Sequence, residues 1–368
     1  MTQRGTTIRL ATRGSALALR QASLVRDALE GRHYEVDLVE VETRGDQIRD
    51  ELIHRLGTTG AFVRALDEQV LAGDVDAAVH SMKDMPTEMP EGLIVAGVPE
   101  RARPEDVLVT PDGRSLADLP EGAVVGTSSL RRRAQVLAER PDLSVEPLRG
   151  NVDTRLEKLL APHRQREHQR RVAAEESHED PEETGYDRTV QEWFEDLSEI
   201  ERGSLERDVD VEYDAIVLAA AGLERAGLLH QVEHVSLSPT EFLPSPGQGA
   251  LAVTALDDEV GARVHDAVDH PRTRVETTVE RTVLAELGGG CVAPIGAYAV
   301  LQGEFVHCVA RVFSLDGTDV VGDQRDLPVQ HHAEAAREFA ADLADRGAAD
   351  LVEDARTDAA EQEAARDG

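Results

Sequence analysis

Apolar positions along this chain switch between two spacings, and the switching lays out an ordered series of elements. Ile8–Thr12 is a short apolar run that predicts a strand, and Ser15–Glu30 follows with the spacing of a helix. Tyr34–Val41 alternates and predicts a second strand, Gly60–Ala72 predicts a helix, and Val75–Val79 predicts a buried strand ending at His80. Strand–helix–strand order of this kind points to an α/β fold with a largely parallel sheet. The polar, proline-flanked stretch Pro99–Pro104 reads as a crossing between domains. The pattern restarts with Val107–Val109, Ala123–Val125, a helix over Ser129–Arg140 and a strand over Ser144–Leu148.

Order breaks over 161–212, where 17 acidic and 7 basic residues leave no sustained apolar face. This composition predicts a solvated insertion, with the chain's single tryptophan, Trp193, in a short amphipathic stretch over Val190–Leu197. A near-continuous apolar strand, Tyr213–Ala219, resumes the fold. From Arg272 a third region is expected: a helix over Val275–Leu287, a glycine-rich loop, strands at Ala297–Leu301 and Phe305–Phe313, and a closing helix over His332–Arg346. Asp354–Gly368 reads as a frayed polar tail.

Charge changes the picture of the surroundings. The 72 acidic residues face only 39 basic ones, for a formal charge of −33, and only Lys83 and Lys158 are lysines. An acid-rich, lysine-poor chain with 3% aromatic residues suits a salt-rich interior. At molar salt the Debye length is roughly 3 Å, which screens the self-repulsion of such a surface. The acidity argues against nucleic-acid partners, which require a basic footprint. The N-terminus carries no charged-then-apolar leader and no run of 18 apolar residues occurs, so a cytoplasmic protein without membrane partners is expected. The two cysteines, Cys291 and Cys308, lack metal-ligand spacing, and neither a metal site nor a disulfide is expected.

Candidate chemistry gathers at strand ends, where open α/β sheets place ligands. Ala11-Thr12-Arg13-Gly14-Ser15 lets Ser15 cap a helix while Arg13 faces an anion beside free N–H groups. Gly126-Thr127-Ser128-Ser129-Leu130-Arg131-Arg132 repeats the device with more charge, and Arg149-Gly150-Asn151-Val152-Asp153-Thr154-Arg155 repeats it again. Any one of these arginines alone would read as a surface ion pair. Three such helix starts in matching places describe a cleft for a ligand with several carboxylates or phosphates. His80-Ser81-Met82-Lys83-Asp84 adds a lysine and a carboxylate directly after a buried strand. Asp84 can stabilise a developing cation or accept a proton, whereas His80 reads as a core or supporting histidine. Cys291 sits in Leu287-Gly288-Gly289-Gly290-Cys291-Val292-Ala293-Pro294, where it can serve as a nucleophile, a redox group or an attachment point, or pack as a small residue at a helix end.

In order and spacing, ATRGSALA, VETRGD, VHSMKDMP, GTSSLRRRAQ, LRGNVDTRL, YDAIVLAAAGLERAGL, LPSPGQGAL and GGGCVAPIG closely resemble the porphobilinogen deaminases, from Ile8 to about Leu351 apart from the insertion. That resemblance implies head-to-tail condensation of four porphobilinogen molecules into hydroxymethylbilane, with loss of ammonia, by a monomer. It implies a dipyrromethane cofactor held by a thioether to Cys291, with Lys83, Asp84, Ser129, Arg131 and Arg132 beside it. Arg13, Ser15, Thr127, Ser128, Arg149, Gly150, Arg155 and Arg225 are implied to bind substrate acetate and propionate groups, and Asp84 to be the catalytic carboxylate. The implied fold is α/β, with two lobes like a type II periplasmic binding protein and a small C-terminal α+β domain. Residues 1–100 plus about 247–268 would form the first lobe, 104–243 the second, 270–352 the third domain and 353–368 a tail. Arg44–Gly60 would form a cover over the cleft, in which Thr59 replaces a lysine common in relatives, with Arg55 one helical turn upstream. The insertion is expected to project from the second lobe. The competing readings are a non-enzymatic anion receptor and a relative that binds tetrapyrrole without making it.

Overall fold

The computed structural model describes residues 7–41, 59–177, 186–290 and 293–367. Cys291 and most of the anticipated cover lie outside the described residues.

Among the described residues, thirteen strands form three sheets. The first contains β1 (Thr7–Arg13), β2 (Glu35–Val41), β3 (Ala77–Ser81) and β4 (Leu93–Gly97). The second contains β5 (Asp106–Val109), β6 (Val124–Gly126), β7 (Ser144–Glu146), β8 (Ala215–Ala219) and β9 (His234–Ser236). The chain then returns to the first sheet as β10 (Leu251–Leu256). Their orders are β2-β1-β3-β10-β4 and β7-β6-β8-β5-β9. These are one topology twice: three parallel strands, then a strand running against its neighbours, then an edge strand. The reversed strands β5 and β10 each follow a crossing between the lobes. The fold is of the two-lobed α/β class that the sequence implied, and β10 adds the residues after Gly249 to the first sheet.

Each sheet buries a separate apolar cluster, with Leu10, Val79 and Val253 in the first and Val107, Ile216 and Leu223 in the second. The third unit is an antiparallel sheet of β11 (Ile295–Gln302), β12 (Phe305–Phe313) and β13 (Val320–Pro328). The helices Pro271–Glu286 and His332–Leu343 cover one face of it, with Val279, Val283, Cys308 and Phe339 fully buried between.

Two expectations need correction. The segment 161–212 is not simply solvated. The helix that starts at Val152 continues to Ser177, and two short helices, Val190–Asp196 and Glu199–Leu205, each open on a capping box. Trp193, Leu197 and Ile200 fall at i, i+4 and i+7 and are all buried, with Ile200 in the core of the second lobe. That narrow stripe is invisible in the acid-rich average. The tail is also structured. Beyond Gly347 a last helix spans Ala349–Asp367, and its Val352 and Ala355 are 2% exposed. Strand β13 was not foreseen because its sequence, VVGDQRDLP, is mostly polar on an edge.

Candidate active site

Arg13 ends β1, and Ser15 caps the following helix by accepting the Ala18 N–H at 3.3 Å. β3 ends at Ser81 and enters a single 3-10 turn, Met82–Asp84. Together with Arg225 and Gln248, these elements line a cavity of about 200 Å³ that holds Arg13, Ser15, Lys83 and Asp84.

The Asp84 turn is held from three sides. The Met82 N–H donates to the Ala250 carbonyl at 3.1 Å. Arg281, on the long helix of the third unit, donates to the carbonyls of Met82 (3.0 Å), Met85 (3.3 Å) and Pro86. Gly247 lies so close that a Cβ there would come within 2.9 Å of the Met82 side chain, and its φ of +78° also demands glycine. Behind the turn, His80 is buried, with Nε2 2.9 Å from Asp67 Oδ1 and 3.1 Å from Thr254 Oγ1. His80 thus occupies the supporting place that its position after an apolar strand suggested.

On the second lobe, Ser129 caps the Leu130–Glu139 helix. The Thr127 hydroxyl accepts the Ser129 N–H at 3.2 Å, and the Ser128 hydroxyl donates to the Leu148 carbonyl at 2.7 Å. Arg131 and Arg132 turn inward and both pair with Asp106, each at 2.7 Å. Burial alone would raise the Asp106 carboxyl, but the two facing guanidiniums overcome it and hold the group well below the usual carboxylate range. Gly150 turns the chain with a φ of +115°, and its carbonyl accepts from Arg155 Nε at 2.8 Å.

The floor of the cleft carries more positive charge than local carboxylates balance. Burial lowers the Lys83 amine, Asp84 opposes this, and Arg132 and Arg155 push it lower still. Burial likewise lowers Arg155 to about 10, with Arg132 adding to the effect and Asp84 resisting. Burial also lowers Arg225, whose guanidinium donates to the Gly249 carbonyl at 2.7 Å. A ligand with several carboxylates fits this floor, since it would supply the missing negative charge. Arg149 is placed elsewhere, lining a separate depression with Lys158, Asp208 and Tyr213. In the glycine loop, a Cβ at Gly289 would meet Leu284 at 2.3 Å, whereas one at Gly290 would meet nothing within 4 Å. Cys308 is fully buried in the third core and burial raises its thiol, so it is no candidate for attachment. Among the described residues no group of three His, Cys, Asp or Glu side chains is placed to hold a metal ion.

Sequence reading missed Asp106, Arg101, Glu280 and Arg281, which brace the site. A signal was present for one of them: Asp106 directly precedes the apolar run Val-Leu-Val, where a charge is out of place without partners. Buried charges of this kind require partners.

Comparison with known proteins settles the ancestry. The porphobilinogen deaminase dipyromethane cofactor binding domain matches residues 8–169 and 199–263, and the C-terminal domain of the same family matches 275–345. This chain belongs to the porphobilinogen deaminase family. A probable porphobilinogen deaminase from Halobacterium salinarum is 54% identical over 96% of this chain and 99% of its own length. One from Methanosarcina acetivorans is 41% identical over 94% of both chains, and the porphobilinogen deaminase of Deinococcus radiodurans is 38% identical over 95% and 99%. The family match is interrupted over 170–198 between its two segments, so part of the 161–212 stretch is matched by the family.

Proposed function

We propose that this chain condenses four porphobilinogen molecules head to tail into hydroxymethylbilane, releasing ammonia, on a dipyrromethane group carried by Cys291. The observation that carries this reading is the placement of an exposed Asp84 beside Lys83, Arg132 and Arg155 on a cleft floor that is short of negative charge. An anion receptor needs those cations but has no use for an exposed carboxylate in their midst.

Each porphobilinogen ring brings an acetate and a propionate. Arg13, Arg155 and Arg225 would bind these carboxylates by two-pronged hydrogen bonds, with Ser15, Thr127, Ser128 and the Gly150 turn adding polar contacts. Lys83, Ser129, Arg131, Arg132 and Asp84 would hold the dipyrromethane. When bound, that group supplies the electron-rich pyrrole carbon from which the chain grows. Asp84 would accept a hydrogen bond from a substrate pyrrole N–H and stabilise the cation that develops as ammonia leaves. Because that charge exists only near the transition state, Asp84 contributes to rate more than to binding. Arg281, through carbonyls of the turn, and Gly247, against the Met82 side chain, fix the backbone that carries Asp84, which limits the reorganisation the step requires.

The reading extends to a monomer working in a salt-rich cytoplasm, supported by the charge of −33 and the near absence of lysine. Intact mass of the purified protein beside a Cys291→Ser variant tests the core of it. A mass excess of one dipyrromethane, absent from the variant, supports the proposal; a folded wild-type protein without the excess and without ammonia release from porphobilinogen rejects it. Light scattering in molar KCl checks the oligomeric state.

A further inference from the structure

Asp106 receives more than an ordinary buried carboxylate. Oδ2 accepts from Arg131 Nη2 at 2.7 Å, and Oδ1 accepts from Arg132 Nη2 at 2.7 Å and Gln248 Nε2 at 2.8 Å. The Asp106 side chain is 0% exposed and those of Arg131 and Arg132 are 5% and 7%. The other terminal nitrogen of each fork is also engaged, Arg131 donating to the Leu243 carbonyl and Arg132 to that of Val217 at 3.1 Å, while the buried Nε of each has no hydrogen-bond partner.

The position of Asp106 matters as much as its contacts. It opens β5, the first strand after the outward crossing, whereas Gln248 lies on the returning crossing. The Gln248 side-chain amide also donates to the Pro104 carbonyl at 2.8 Å, and the Gln248 backbone carbonyl accepts from Arg101 Nε at 2.8 Å. One carboxylate therefore joins the arginine-bearing helix start of the second lobe to both strands of the hinge. Two adjacent guanidiniums against one carboxylate leave one surplus positive charge, and Arg132 acts electrostatically on Lys83 and Arg155 across the cleft.

We propose that Asp106 is a positioning residue: it fixes the forks of Arg131 and Arg132, limits them to one surplus charge toward the cleft, and ties both to the interlobe crossings through Gln248. The inference rests on the proposed function for its catalytic consequence but not for its effect on anion binding. Without the Asp106 charge the two guanidiniums repel each other, and a fork becomes available to an external carboxylate. Carboxylates should then bind more tightly, but in a geometry that no longer serves the condensation.

Three proteins in molar KCl test this: wild type, Asp106→Asn and Gln248→Leu. Each is measured for dipyrromethane occupancy by intact mass, for kcat and KM with porphobilinogen, and for the succinate concentration giving half the maximal thermal upshift. For Asp106→Asn, kcat should fall by roughly 10- to 100-fold while the succinate midpoint shifts to lower concentration, opposite directions that loss of structure alone does not produce. Gln248→Leu keeps both ion pairs, so its succinate midpoint and occupancy should stay at wild type while kcat falls. A folded Asp106→Asn protein with wild-type kcat, KM and succinate midpoint overturns the proposal. If Asp106→Asn does not fold, Gln248→Leu decides: a wild-type kcat overturns the hinge coupling and a selective fall in kcat supports it. A wild-type protein that responds to succinate yet neither carries dipyrromethane nor releases ammonia defeats the proposed function instead, and the succinate midpoint of Asp106→Asn still judges Asp106.

Discussion

Glu280 and Arg101 form a two-pronged ion pair, 2.7 and 3.0 Å long, in which the carboxylate is 0% exposed and the guanidinium 7%. The same carboxylate also accepts the N–H groups of Gly247 (2.7 Å) and Ala299 (2.9 Å), so one side chain joins both crossings to the sheet of the third unit. Arg101→Met leaves that buried charge without its counter-ion and should destabilise the protein by about 3–5 kcal/mol. Denaturant unfolding in molar KCl reads the loss; a change below about 1 kcal/mol contradicts the assigned role.

Lys83 gives stability a dependence on pH. Its folded value is lowered by burial from 10.5, so between that lowered value and 10.5 the unfolded chain binds the extra proton. Stability of the unprimed Cys291→Ser protein should therefore rise with pH through this window, with the penalty complete and flat once pH is below the folded value. Lys83→Met should flatten that part of the curve. A parallel curve for the two proteins would show that the lysine is fully solvated.

How far the site could be read from sequence depended on distance along the chain. Arg13, Ser15, Lys83 and Asp84 were legible because each sits at a strand end, within a few residues of the element that positions it. The bracing partners were not: Asp106 meets Gln248 across 142 residues, and Arg281 meets Met82 across 199. No local spacing records such a contact. The cores of the lobes were readable from apolar runs, whereas β13 and the last helix were missed because their inward positions are few among polar neighbours.

Removing 163–210 would take away Ile200 from the second core, and Gln165, whose amide donates to the carbonyls of Ser204 and Arg207. That deletion should cost about 2–5 kcal/mol or prevent folding. Replacing only 170–198, the stretch outside the family match, with a short glycine–serine linker should leave kcat within about twofold. A folded, dipyrromethane-bearing product with no turnover would show that the inserted helices serve catalysis.

Salt should act on folding more than on substrate capture. With a charge of −33, thermal stability should climb steeply between 0.1 and 2 M KCl, as the Debye length falls from about 10 Å toward 3 Å or less. Once folded, the protein should show a kcat/KM nearly independent of added KCl, because carboxylate capture rests on close contacts. A steep fall in kcat/KM over the same range would point to long-range steering.

The exchange of β5 and β10 has a consequence for biosynthesis on the ribosome. The second sheet is complete once residue 236 has emerged, since all five of its strands lie between Asp106 and Ser236. The first sheet, although made earlier, lacks the strand that joins β3 to β4 until Leu256 is out, and until then β4 has no partner. The lobe that begins the chain is thus the later of the two to close, and nascent chains whose last emerged residue lies between 240 and 250 should protect backbone amides of the second sheet while those of β4 still exchange.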